Sequence, residues 1–106
     1  MKVLPRKVER KEKIRYLNAI YGAIATLASS EEIRRFLNDL LTESERIMMG
    51  RRILIAQRLL EEQSYDSIAS ELHVGLDTIA KVHKRIEDDE RGYEVIFEKL
   101  NKKKLA

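Results

Sequence analysis

Between Ser64 and Ile86 the sequence reads SYDSIASELHVGLDTIAKVHKRI, two short helical patterns parted by His73-Val74-Gly75. Ser64 suits the N-cap of the first pattern, since its hydroxyl accepts an otherwise unpaired backbone N–H. Ile68, Ala69 and Leu72 then fall on one face, and after the break Ile79 and Val82 give the second pattern its own inward stripe. The small side chain of Ala69 lets the second helix cross closely over the first. Two helices crossing over a short turn that contains glycine define a helix-turn-helix. His73 opens the interruption, and because histidine is among the few residues enriched at positive φ, a left-handed turn there is strained rather than excluded. The alternative is an ordinary helical hairpin without a ligand.

The rest of the composition agrees with helices throughout. One proline, Pro5, and four glycines interrupt 106 residues, and no stretch reads as a strand. The expected fold is all-α, a single domain over residues 1–106 with about six helices. With no cysteine, disulfides and thiolate metal sites drop out and a reducing cytosol is compatible. His73 and His83 are too few for a metal cluster, so no metal and no cofactor is expected. No apolar run approaches the ~18 residues needed to span a membrane, and no signal peptide precedes the first helix. These features predict a cytoplasmic protein.

Net charge is only +3, a weak argument for a polyanionic partner. Distribution argues better. Residues 1–15 hold seven Lys or Arg against two Glu, and Lys81, Lys84 and Arg85 cluster on the second helix of the motif. Segregated charge can steer a polyanion to one face.

Along the chain, residues 1–10 read as a flexible basic arm with phosphate contact open to it. From about Glu12 to Ala28 one apolar stripe runs through Ile14, Leu17, Tyr21, Ile24 and Ala28, and a second through Ile20, Ala23 and Leu27. A helix apolar around so much of its circumference needs cover on more than one side, and a second copy of the chain is the expected cover. Ser29 and Glu32 form a capping box for the next helix, and Thr42 and Glu45 repeat it. A long helix follows to about Gln63, with Met49, Ile53, Ala56 and Leu60 along one side. Gly50 inside it costs about 1 kcal/mol against alanine; close approach of a neighbouring backbone would compensate, and a tolerated glycine is the alternative. A last helix carries Tyr93, Ile96, Phe97 and Leu100 and ends in Lys102-Lys103-Lys104, cations suited to a C-terminal dipole.

From about Leu40 to Lys102 the sequence resembles the tryptophan repressor superfamily, including its small bacterial members of unassigned effector. The resemblance rests on Leu41-Thr42, Glu45-Arg46, Met49-Gly50, Arg52, Leu59-Leu60, Glu71-Leu72, Gly75, Thr78-Ile79 and Lys81. It implies an intertwined all-helical homodimer, in which paired recognition helices enter successive major grooves to repress transcription. It also implies a small-molecule effector pocket at Thr42, Arg52 and Lys81. Lys81 replaces an arginine there, keeping the cation but losing the bidentate fork. Val82 replaces a glycine against which the family's indole ligand packs, and overpacking a fitted site costs ~1–3 kcal/mol. Tryptophan is therefore not the expected ligand. For Arg52, a helix-surface ion pair is the competing reading.

The expected partner is double-stranded DNA. With Gly75 opening the recognition helix, Leu76, Asp77, Thr78, Ala80, Lys81 and Lys84 would face the groove. Leu76 and Ala80 suit a thymine methyl and Asp77 a cytosine amino group, although Asp77 equally suits a first-turn dipole. Lys81 and Lys84 suit phosphates. Ser64 and Tyr65, with the N–H groups opening the first motif helix, suit a further phosphate. Arg51 and Arg58 either extend this footprint or lie on a solvated face. Two other classes stand beside this one: a helix-turn-helix used for protein contact or nonspecific nucleic-acid binding, and a small all-α enzyme of chorismate-mutase type. The enzyme reading has only an all-α dimer and Arg52 with Lys81 in its favour, and the sequence offers no nucleophile constellation, no convincing acid/base pair and no phosphate loop.

Overall fold

The computed structural model describes residues 3–105, and these form six α-helices, one 3-10 turn and no strand. The chain divides into two compact units, Met1–Thr42 and Glu43–Ala106.

In the first unit, a 3-10 turn at Pro5–Lys7 lies within the segment read as an arm, with Pro5 pre-setting φ at its first position. Met1 and Lys2 lie outside the described residues. Helix α1 spans Arg10–Ala25, starting before Glu12 and stopping short of Ala28, the two ends of the expected helix, and α2 spans Ser30–Leu40. Thr26 closes α1, its hydroxyl donating to the Ala23 carbonyl at 2.7 Å. The capping box of α2 is present in a modified form. Ser29 Oγ accepts from the Glu32 amide at 3.2 Å, and the Glu32 carboxylate accepts from the Ala28 amide at 2.8 Å, one residue before the cap. Glu31 and Arg35, one turn apart, pair at 2.8 Å on its surface. Neither helix has a buried residue. Ile14, Leu17, Tyr21 and Ile24 of α1 are all exposed, Tyr21 at 62%. The second stripe, Ile20, Ala23 and Leu27, is half-buried.

The second unit has a core of its own. Helices α3 (Glu43–Leu60), α4 (Tyr65–Leu72) and α5 (Leu76–Ile86) pack against one another, and α6 (Gly92–Leu105) returns to α3. Ile55 and Ala56 of α3, Ile68 of α4, and Ile79 and Val82 of α5 are buried together, ringed by Leu59, Tyr65, Ala69, Leu72, Val74, Ile86, Tyr93 and Phe97. Ile55, Ile68 and Ile79 reach zero exposure, each contributing ~1.5–3 kcal/mol by burial. Every residue of the motif's expected inward face is thus buried or half-buried. The stripe expected on α3 is only partly inward: Ala56 is buried, while Met49, Ile53 and Leu60 stay about two-fifths exposed.

Helix α3 ends at Leu60, three residues short of the expected end near Gln63, because Glu62 turns the chain at φ 64°. The Glu62 amide donates to the Leu59 carbonyl and the Gln63 amide to the Arg58 carbonyl, at 2.9 and 3.0 Å, which makes the exit a Schellman motif. A glutamate occupies the left-handed position that glycine ordinarily fills. Gly50, by contrast, sits where an added Cβ would meet nothing within 4 Å, so the close approach expected from its place in α3 is not made by the chain's own atoms.

Candidate nucleic-acid interface

The motif is assembled from its ends inward. Ser64 caps α4, its hydroxyl accepting from the Ser67 amide at 3.2 Å. At the other end His73 adopts φ 54°, ψ 49°, with its amide returning to the Ala69 carbonyl. This is the left-handed turn for which histidine was read, costing ~1–2 kcal/mol for a residue with a Cβ. Gly75, extended at φ −76°, then opens α5 without a side-chain cap, and the Ile79 amide donates to its carbonyl.

Burial divides α5 cleanly. Ile79 and Val82 are inside, and Leu76, Asp77, Thr78, Ala80, Lys81 and Lys84 are exposed. Leu76, half exposed, is an apolar side chain at the helix start with no core role. Asp77 lies in the first turn, where the positive end of the helix favours a carboxylate. Lys81 and Lys84 form no ion pair with a described residue, nor does Arg51. These free cations and the exposed start of α5 form one continuous character: apolar and acidic at the N-terminal end, basic further along.

Two of the expected contact residues have other partners. The Tyr65 hydroxyl shares a 2.7 Å hydrogen bond with His83 Nδ1, and the two rings meet edge-on at 5.8 Å. His83 Nε2 faces the Glu87 carboxylate at 3.7 Å, an arrangement that suits an Nε2–H tautomer with Nδ1 accepting from the phenol. Arg58 is not on a solvated face. Its Nε and Nη2 both reach the Glu71 carboxylate, at 2.9–3.1 Å, and its Nη1 lies 3.5 Å from Glu61. The guanidinium holds the Glu71 carboxyl below the usual carboxylate range, and the same bond raises Arg58. Both links join residues more than ten positions apart, so no local pattern announces them.

A groove of about 730 Å³ opens beside α5, lined from α3 by Met48 and Arg52, from α5 by Thr78, Lys81, Val82, Lys84 and Arg85, and beyond by Asp88 and Tyr93. Arg52 and Lys81, two of the three residues expected to hold an effector, meet here. Arg52 has no ion pair with a described residue, so the surface-pair reading finds no partner. Val82 forms part of the wall while remaining only 5% exposed. Thr42, the third, belongs to the other unit. Among the described residues no group of three or more His, Cys, Asp or Glu could hold a metal, and no helix is long and apolar enough to cross a membrane.

A three-helix core that presents an exposed second motif helix, on which Lys81 and Lys84 have no ion pair with a described residue, defines a helix-turn-helix protein. The family model for the Trp repressor protein matches residues 15–101. The chain belongs to the Trp repressor family. It is 27% identical over 84 residues to the uncharacterized protein YerC of Bacillus subtilis (strain 168), covering 79% of this chain and 81% of that protein. Its fold superimposes on the crystal structure of a Staphylococcus aureus protein classed as a candidate Trp repressor, with TM-score 0.77 and 26% identity, over 89% of this chain and 96% of the other.

Proposed function

We propose that this chain is a sequence-specific DNA-binding transcriptional repressor that works in the cytoplasm as a homodimer on a palindromic site. The observation that carries the reading is the division of α5, with Ile79 and Val82 buried while Leu76, Asp77, Ala80, Lys81 and Lys84 stand in solvent. In this reading the N-terminal residues of α5 contact base edges, and Lys81 and Lys84 bind phosphates. The amides opening α4, beside Ser64 and Tyr65, take another phosphate, with the Tyr65 ring positioned through His83. Residues 1–10 act as a basic arm on a single domain of the Trp-repressor type.

The dimer is supported by α1 and α2, which bury none of their residues and leave Ile14, Leu17, Tyr21 and Ile24 in water. Apolar surface of that extent on a monomer marks an interaction site. Two-fold symmetry then sets half-site centres ~34–36 Å apart. A small-molecule effector other than tryptophan binds at Arg52 and Lys81.

Selection on random duplex DNA at two salt concentrations tests the reading. Recovery of a palindrome, bound less tightly at the higher salt, is expected. Sequences without two-fold symmetry overturn the site, and no binding to any duplex at low salt turns the motif toward a protein partner.

A further inference from the structure

The effector just proposed is identified only by what it is not. The groove beside α5 narrows its chemistry. Arg52, Lys81 and Lys84 project into it without ion-pair partners among the described residues, and Arg85 is a fourth cation. The only acid in its wall is Asp88, whose carboxylate lies 3.7 Å from Arg85. An amino-acid zwitterion brings one carboxylate and one ammonium, and no unspent side-chain carboxylate lines the groove to receive the ammonium. A doubly charged anion fits the excess of cations instead, with Arg52 offering a planar fork and the lysines point charges. Apart from Thr78, the remaining wall is apolar or aromatic. Met48 is half exposed, and the half-buried Tyr93 is fixed by near-parallel stacking on Phe97, at 6.4 Å between centroids. We infer that the groove takes a phosphate monoester of an aromatic or otherwise planar small molecule, and that this ligand releases the protein from DNA.

The second half follows from geometry. Lys81 and Lys84 line the groove and also lie on the exposed face of α5. A phosphate held between them and Arg52 neutralises cations that would otherwise meet the DNA backbone. Each backbone contact removed lowers the salt dependence of log K by about 0.9. An anionic occupant therefore acts as an inducer. This inference rests on the DNA-binding reading above for its regulatory half and is independent of it for the ligand.

The test uses the full chain with phenyl phosphate as the probe and L-tryptophan and inorganic phosphate as comparisons. Amide chemical shifts, recorded without DNA, locate binding. Saturable phenyl phosphate shifts around Arg52, Lys81 and Tyr93 are expected, with affinity about tenfold lower in Arg52→Gln, the loss of one charge-assisted contact. Inorganic phosphate should bind more weakly and tryptophan should leave the groove unshifted. No phenyl phosphate shifts at millimolar concentrations, shifts confined to the start of α4, or equal affinity in Arg52→Gln each overturn the ligand. With DNA present, phenyl phosphate should weaken binding beyond chloride of equal ionic strength. Equal weakening, or tighter binding, overturns the inducer. Failure of the wild-type chain to bind any duplex at low salt would instead remove the DNA-binding reading and leave the ligand result standing.

Discussion

Arg58 on α3 holds Glu71 on α4 by a two-pronged contact, Nε and Nη2 against one carboxylate at 2.9–3.1 Å. The pair fixes the first helix of the motif to the long helix that supports it. Because the contact lowers the Glu71 pKa in the folded state, its stabilising effect is complete above the ordinary glutamate value, about 4.3, and is lost as pH falls through the lowered folded value. Glu71→Gln should therefore melt below the wild type at neutral pH, with the gap closing in acid. Thermal unfolding across a pH series reads this directly. A gap that persists undiminished to about pH 2 would contradict the sign.

Tyr65 and His83 provide a second link, between the start of α4 and the last turns of α5. Tyr65→Phe keeps the ring and removes the hydroxyl, so a loss of about 0.5–1.5 kcal/mol is expected by urea unfolding. In a double-mutant cycle with His83→Ala the two losses should fail to add. Additive losses would mean that the hydrogen bond contributes nothing to holding α5.

Neighbouring positions on α5 should separate stability from recognition. Ile79→Ala empties a fully buried site and should cost about 2–5 kcal/mol. Leu76→Ala, at a half-exposed position, should leave unfolding within about 0.5 kcal/mol of wild type while altering base preference at one position of each half-site. Comparing denaturation with binding selections on both variants checks the division. A stability loss at Leu76 equal to that at Ile79 would place Leu76 in the core.

Lys84→Ala should weaken every DNA sequence alike and flatten the salt slope of log K by about 0.9 per lysine lost. Fluorescence anisotropy over a salt series measures it. A change confined to one base position would make Lys84 a base-reading residue.

Two left-handed positions offer stabilising changes. His73→Gly and Glu62→Gly each relieve a side chain at φ near +60°, and each should raise the melting temperature, by up to about 1 kcal/mol of stability. A fall in either variant would show that the side chain has contacts worth more than the strain.

The motif was legible because its determinants are local. Ser64, Ala69, His73 and Gly75 act through their own backbone neighbours, and the spacing of Ile68, Ile79 and Val82 fixes which side faces in. The same locality made the Ser29–Glu32 box readable, though its glutamate closes on Ala28. The end of α3 was not, since Glu62 carries no sign of the left-handed turn it makes and apolar spacing runs on to Leu60. The Arg58–Glu71 and Tyr65–His83 contacts depend on how three helices pack, which periodicity does not encode. Arg58 consequently reads from the sequence as a surface cation, and Tyr65 as a phosphate contact. Of the groove, Arg52 and Lys81 were found through family resemblance; Tyr93 and Asp88 entered only when α6 and its approach were seen beside α5.

The buried cluster belongs wholly to residues after Thr42, while α1 leaves Ile14, Leu17, Tyr21 and Ile24 exposed. On the proposed homodimer reading, the buried cluster behind α5 lies within one chain, while the pairing helices wait for a mate. Site occupancy then climbs with roughly the square of the number of chains in the cell, so expression level itself becomes a threshold device before any ligand arrives.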